Sequence, residues 1–68
     1  MKNTMKEKRA KLNLTQAALA DKVNVSRQTI NSIEIGKFIP SSLLVLKIAS
    51  IFKLRVEEIF SLEEKDWQ

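Results

Sequence analysis

Apolar residues in this chain recur at spacings of three and four, the period of a helix that buries one face. Met5, Arg9 and Leu12 lie on one such face. This pattern predicts a first helix over residues 3–12, and Asn13 can adopt the left-handed turn that ends it. One glycine and one proline leave little room for hairpins. We therefore expect an all-α fold.

Two short helices follow, each preceded by a hydroxyl residue that can cap a helix N-terminus. Thr15 precedes QAALADKV at residues 16–23. Ser26 precedes RQTINSIEI at residues 27–35, and Asn24 lies in the turn between the two segments. The residues expected to face inward are Leu19, Ala20, Val23, Ile30 and Ile33.

The remainder of the chain predicts a core helix, a helical turn and a tail. Ser41 or Ser42 caps LLVLKIASIFK, residues 43–53, which is apolar nearly all round and predicts a central buried helix. The segment VEEIF at residues 56–60 predicts one more short turn, and SLEEKDWQ a polar tail.

Length and composition restrict the class of protein. The 68 residues allow a single domain, residues 1–68, with its core at about 3–60 and its C-terminal tail at 61–68. The absence of cysteine and histidine excludes disulfides, thiolate zinc sites and Ser-His catalysis. The longest apolar run is too short for a membrane span. We expect a cytoplasmic protein with no cofactor, no metal and no membrane insertion.

Positive charge is concentrated in the first part of the chain. Residues 1–40 hold eight Lys or Arg against three Asp or Glu, a net charge of +5. Residues 41–68 have a net charge of −1, and the whole chain carries +4. A basic half favours contact with a polyanion, and a solvated surface of mixed charge is the alternative.

The second and third predicted helices have the spacing of a helix-turn-helix, which presents its second helix to the major groove of DNA. The segment LTQAALADKVNVSRQTINSIEIGKFIPS, residues 14–41, resembles the Cro/cI-type (XRE family) helix-turn-helix transcriptional regulators of the short stand-alone class. The resemblance covers roughly residues 5–60. It implies a compact five-helix, lambda-repressor-like DNA-binding domain.

The polar face of the third helix is the candidate for reading DNA bases. Arg27, Gln28, Asn31 and Ser32 lie opposite the inward isoleucines. Arginine can bridge guanine O6 and N7, and glutamine or asparagine can bridge adenine N6 and N7. In repressors that the chain resembles, the positions matching Arg27, Gln28 and Ser32 contact bases. An ordinary solvated helix face is the alternative.

Other residues are candidates for contacts with DNA phosphates. By its position in the motif, Gln16 resembles the phosphate-binding glutamine of the family. It also begins a predicted helix, whose free N–H groups and dipole favour an anion. Thr29, Lys37 and the backbone of Phe38 are further candidates.

Arg9 and Glu34 place opposite charges on apolar helix faces, since Arg9 follows Met5 by four residues and Glu34 follows Ile30 by four. A charge on a buried face is costly unless an opposite charge lies beside it, so the two side chains are expected to form an ion pair. Proteins of the family that the chain resembles make such a pair. Two independent surface side chains are the alternative.

The chain departs from the family pattern near the predicted loop. Many family members have a polar residue, often asparagine, at the position of Ile39, a leucine at that of Ser42 and a polar residue at that of Leu43. Together with Ile35, the apolar residues here could meet thymine methyl groups or line a subunit contact. The sequence assigns no role to Trp67.

These features predict a sequence-specific transcriptional regulator, a repressor, that binds a palindromic operator in double-stranded DNA as a homodimer. The acidic C-terminal part, with its short helix around Ile59 and Phe60 and with Leu54, Leu62 or Trp67 nearby, offers an apolar surface for the two-fold contact. The alternative is that Ile59 and Phe60 close the core of the monomer. The alternative function is an antitoxin or a partner-binding regulatory subunit on the same scaffold. Enzymatic activity is disfavoured because no constellation of acid, base and nucleophile is present.

Overall fold

The computed structural model describes residues 1–68, and helices make up most of it. The α-helices are α1 (Met5–Lys11), α2 (Gln16–Val23), α3 (Arg27–Glu34), α4 (Ser42–Phe52) and α5 (Val56–Ile59). The predicted all-α class with five helices is confirmed. The first helix begins at Met5 rather than at residue 3, and α5 ends one residue earlier than expected.

Hydroxyl side chains cap three of the helices at the positions expected from the sequence. Thr15, Ser26 and Ser41 each accept a hydrogen bond from the backbone N–H three residues further on. Such a cap contributes about 1 kcal/mol to stability. Asn13 and Asn24 adopt the left-handed conformation, with φ of 53° and 61°. These local signals therefore set the helix boundaries in the first half of the chain.

The core brings together side chains from all five helices. Met5, Leu19, Ile30 and Ile48 are completely buried, and α2 packs most closely against α3. Ala20 is buried as well, and its small side chain permits this close approach. The two helices of the helix-turn-helix are thus held as one rigid pair.

The fourth helix is not buried all round, contrary to the sequence prediction. α4 buries Leu44, Ile48 and Phe52 against the core, whereas Leu43 and Leu46 are 64% and 61% exposed. A domain of this size has too few elements to cover both sides of α4, so one apolar side of the helix remains at the surface.

A short antiparallel ladder joins the two ends of the chain, which the sequence analysis did not predict. Strand β1 (Lys2–Asn3) pairs with β2 (Phe60–Ser61), with Asn3 opposite Phe60. The backbone N–H of Thr4 extends the contact by donating to Ile59 O at 2.8 Å. The expectation of helix at residue 3 was therefore wrong.

The tail is ordered as well. Residues Glu64–Trp67 form a 3₁₀ helix, and the amino group of Met1 lies 2.9 Å from Glu63 Oε1 and 3.0 Å from Asp66 Oδ2. Hydrogen bonds to the two carboxylates raise the pKa of the Met1 amine above its ordinary value. The pKa of Glu63 is lowered mainly by its hydrogen bond with that amine, and the pKa of Asp66 mainly by a hydrogen bond from the Glu63 backbone.

No helix of the structure combines the length and the apolar character needed to cross a membrane.

Candidate nucleic-acid interface

Helix α3 is anchored on one side and presents polar groups on the other. Ile30 and Ile33 are buried in the core. On the opposite side Arg27 and Gln28 are exposed at the start of the helix, and one turn later Asn31 and Ser32 are half-buried. The structure therefore brings the four predicted base-contacting residues onto one outward face of α3.

Beneath this face lies the ion pair between Arg9 of α1 and Glu34 of α3. Arg9 Nε is 2.6 Å from Glu34 Oε2, and Arg9 Nη2 donates to Glu34 Oε1 at 3.0 Å. The remaining guanidinium nitrogen donates to the carbonyl of Leu14 at 2.9 Å. The two side chains are only 13% and 6% exposed. Hydrogen bonding to Glu34 raises the pKa of Arg9 above its ordinary value, against the opposing effect of burial.

The side chain of Gln16 connects this ion pair to the surface of α3. Its amide nitrogen donates to Glu34 Oε1 and to Asn31 Oδ1, both at 3.1 Å. Its amide oxygen accepts a hydrogen bond from Arg27 Nη1 at 3.2 Å. The reverse orientation would set the amide oxygen against a carboxylate and the NH₂ group against a guanidinium, so the chemistry of the neighbours fixes this one.

Sequence reasoning assigned Gln16 to a phosphate and missed this bridge. The bridge forms because α2 and α3 begin with Gln16 and Arg27, whose side chains meet once the two helices have packed against each other. The backbone N–H groups of Gln16 and Ala17 make no hydrogen bond within the protein. They remain free to meet an anion at the start of α2.

The other predicted phosphate-contacting residues lie near the same face. Lys37 is exposed and takes part in no ion pair. The hydroxyl of Thr29 lies 2.9 Å from that of Ser26. The backbone N–H of Phe38 already donates to Ser32 O at 3.2 Å, an acceptor that it shares with the N–H of Lys37 at 2.9 Å.

The face also carries a shallow recess of about 230 Å³, lined by Ser26, Gln28, Thr29, Ser32 and Phe38. It is open to solvent and combines hydroxyl groups with one aromatic ring. The ring of Phe38 is 48% exposed and lines this recess. Its side chain was missed in the sequence analysis, which considered only its backbone.

A family model described as helix-turn-helix matches residues 5–59, which include all five helices and the whole of this face. This chain belongs to the helix-turn-helix family. The resemblance drawn from residues 14–41 is confirmed, and with it the fold expected for the domain.

Relatives of similar length match almost the whole helix-turn-helix chain. It is 46% identical to the uncharacterized HTH-type transcriptional regulator YgzD of Bacillus subtilis, over 97% of this chain and 100% of the relative. It is 52% identical to an uncharacterized HTH-type transcriptional regulator of Methanocaldococcus jannaschii, with the same coverage. A similarly described regulator of Archaeoglobus fulgidus is 45% identical over 100% of this chain and 97% of its own length.

The apolar side chains near the loop after α3, and Trp67 on the tail, are exposed in this helix-turn-helix protein. Ile35 is 57% exposed, Ile39 65% and Leu43 64%, and Trp67 on the tail is 77% exposed.

No group of three or more acidic, histidine or cysteine side chains lies close enough together to hold a metal ion.

Proposed function

We propose that this helix-turn-helix protein is a transcriptional repressor that inserts α3 into the major groove of a palindromic operator as a homodimer. The observation that carries the proposal is the outward polar face of α3, with Arg27 and Gln28 exposed at its N-terminal end. In a helix-turn-helix, base edges are contacted from this end of the second helix. The names of the relatives, transcriptional regulators of helix-turn-helix type, support the assignment.

The base contacts are assigned to Arg27, Gln28, Asn31 and Ser32. Arg27 has no acidic partner, so its guanidinium is available to guanine. The exposed amide of Gln28 is suited to adenine. Ser32 and Asn31 lie one turn further along, where they reach the neighbouring base pairs.

Phosphate contacts hold α3 in register on the duplex but carry no sequence information. We assign them to the backbone N–H of Gln16, the hydroxyl of Thr29, the ammonium group of Lys37 and the backbone N–H of Phe38. The last is the weakest of the four, because it must be shared with the carbonyl of Ser32.

Two copies of the chain are needed for useful selectivity, because one short recognition helix reads too few bases. Ile59 and Phe60 are 1% and 6% exposed, so they close the core of the monomer, which is the alternative that the sequence left open for them. We therefore assign the proposed contact to Leu62, which follows these residues closely in the chain and is 58% exposed. In such a dimer the two recognition helices lie about 34 Å apart, one turn of DNA.

A partner-binding role is the second candidate function, because Leu43 and Leu46 leave an apolar side of α4 uncovered. An antitoxin or a regulatory subunit would use such a surface, and co-purification of a second small protein would favour it.

The DNA-binding role places the protein in the cytoplasm with the genome, and the proposed mechanism needs no cofactor.

Selection of bound duplexes from a random pool tests the proposal. We expect an inverted repeat with half-sites about 10 base pairs apart, bound by two copies of the chain in sedimentation experiments. A monomer bound once per site would contradict the dimer, and a pool without any enriched sequence would contradict the reading role of α3.

A further inference from the structure

The aromatic ring of Phe38 is a large apolar group beside the polar face of α3. It is 48% exposed and lines the recess of about 230 Å³ together with Ser26, Gln28, Thr29 and Ser32. Gln28 and Ser32 are four residues apart and therefore lie on the same side of α3, where both are assigned to base contacts. The ring thus offers an apolar contact next to the side chains that read the bases.

The backbone on both sides of Phe38 is held in place. The N–H groups of Lys37 and Phe38 both donate to Ser32 O, at 2.9 and 3.2 Å, so the loop after α3 folds back onto the helix. Gly36 permits this turn, because its φ of 81° lies in the left-handed region. Pro40, two residues beyond Phe38, is buried. A loop that is fixed at both ends loses little freedom when its aromatic ring makes a contact.

The recess combines the apolar ring with two polar side chains that have no partner inside the protein. The hydroxyl groups of Ser26 and Thr29 lie 2.9 Å apart and bond to each other. The side chains of Gln28 and Ser32 make no hydrogen bond within the chain. A suitable ligand is therefore a small apolar group with hydrogen-bonding atoms beside it. The major-groove edge of thymine has this form, since its 5-methyl group lies next to the O4 acceptor.

We propose that Phe38 is a specificity-determining residue, whose ring contacts the 5-methyl group of a thymine in each operator half-site. The inference rests on the proposed DNA-binding function and adds to it a base contact from outside α3. Phenylalanine is a suitable apolar partner for the thymine methyl, and dispersion between the two groups requires close contact. Gln28, which lines the same recess, is suited to adenine. The two side chains together favour A·T pairs at this point of the half-site.

The deoxyribose of the DNA backbone is the competing contact for the ring. A sugar lies between phosphates, and a site for it would hold cationic side chains close to the ring. No lysine or arginine lines the recess, whereas two base-reading side chains do. The surroundings of Phe38 therefore favour a base over the backbone.

The test removes one methyl group from the DNA at a time. Each thymine in one half-site of the operator from the pool selection is replaced in turn by deoxyuridine, which lacks the 5-methyl group and keeps the base pair. Dissociation constants are measured for the wild-type chain, Phe38→Ala and Phe38→Leu. Ile39→Ala is the matched control, because Ile39 is the next residue of the same loop and is 65% exposed but does not line the recess. Circular dichroism verifies that each variant is folded.

We expect one thymine whose methyl group, when removed, weakens wild-type binding about fourfold, the effect of losing one buried methyl group. In Phe38→Ala the same replacement should weaken binding by less than about 1.5-fold, because the partner of the methyl group is already absent. Phe38→Leu keeps an apolar contact and should retain at least about a twofold effect. Ile39→Ala should retain the full effect.

Three results would overturn the inference. The first is a wild-type chain for which no thymine methyl group matters, and the second is a methyl effect that persists undiminished in Phe38→Ala. The third is a methyl effect that disappears in Ile39→Ala instead. If Phe38→Ala also weakens operator and random DNA equally while the methyl effect persists, the ring contacts the deoxyribose backbone.

The pool selection separates this inference from the proposed function. An enriched operator that the chain binds without dependence on a thymine methyl group would overturn the role of Phe38 and leave the reading role of α3 intact. A pool without any enriched sequence would overturn the proposed function, and this inference with it.

Discussion

Replacement of Glu34 by alanine tests how the ion pair contributes to stability. The change removes both charged hydrogen bonds of Arg9 to the carboxylate and leaves its guanidinium only the carbonyl of Leu14. The amide of Gln16 loses a partner at the same time. Because the Arg9 side chain is only 13% exposed, water can replace the lost carboxylate only in part.

Two estimates of the cost agree. Hydrogen bonds to charged groups contribute about 1.5–3 kcal/mol each, and two are lost. Removing one partner of a buried ion pair costs about 3–5 kcal/mol. The residual exposure of Arg9 favours the lower end, about 3 kcal/mol. For a domain of this size, that lowers the melting temperature by at least about 12 °C.

Circular dichroism during thermal and urea unfolding measures the effect. All variants are compared at one protein concentration, since association would make the melting temperature depend on concentration. Glu7→Ala is the matched control: Glu7 is an exposed acid outside every ion pair, and its removal should change stability by less than about 0.5 kcal/mol. Because an arginine side chain stays charged throughout the accessible pH range, the loss should persist at neutral and mildly alkaline pH.

The double variant Arg9→Met with Glu34→Leu provides the sharper comparison. Replacing a buried ion pair by apolar side chains is often nearly neutral, because neither charge is then left without its partner. We expect the double variant to be more stable than Glu34→Ala. Two results would refute the interpretation of a buried, mutually dependent pair. One is a fall in melting temperature of only about 1–2 °C in Glu34→Ala, and the other is a double variant whose loss of stability equals the sum of the losses of Arg9→Met and Glu34→Leu alone.

Three further predictions follow from the described contacts. Gln28→Ala should reduce the free energy of operator binding by about 1–3 kcal/mol and relax the sequence preference at one base pair. Lys37→Ala should weaken binding to all DNA sequences alike and reduce the slope of affinity against salt concentration by about one. Equal losses of affinity from both variants on specific and random DNA would contradict the assignment of base and phosphate contacts. Ser41→Ala removes the cap of α4 and should lower stability by about 1 kcal/mol in urea unfolding, with no effect expected only if the cap is absent in solution. The contact of the Met1 amine with Asp66 should stabilise the fold at neutral pH. This stabilisation should be lost as the pH falls through the lowered pKa of Asp66, and also as the pH rises through the raised pKa of the amine. Asp66→Asn should therefore flatten both limbs of the pH–stability curve, and an unchanged curve would exclude the contact.

Local features of the sequence were sufficient for much of the fold. Helix periodicity placed α2, α3 and α4 to within a residue or two, and the caps at Thr15 and Ser26 follow from hydrogen bonds that span three residues. Their chemistry acts within one helical turn, so it can be recognised without knowledge of the tertiary structure. The helix-turn-helix is itself a local unit of this kind.

Part of the candidate interface was equally accessible. Periodicity alone put Arg27 and Gln28 on the outer side of α3, and the same spacing put Arg9 and Glu34 on apolar sides of their helices. A buried charge without a partner is costly, so two opposite charges on apolar helix faces are expected to form an ion pair. The sequence therefore indicated the pairing of Arg9 with Glu34, although the two residues lie 25 positions apart.

Contacts between distant segments could not be predicted in the same way. The pairing of Asn3 with Phe60 joins two-residue strands, which are too short to show an alternating pattern. The exposed side of α4 depends on how many neighbours the fold supplies, and the burial of Ile59 and Phe60 depends on the same packing. The network from Arg9 through Glu34 and Gln16 to Arg27 requires three helices in their final positions, because it is built from side-chain hydrogen bonds of about 3 Å that tolerate little displacement.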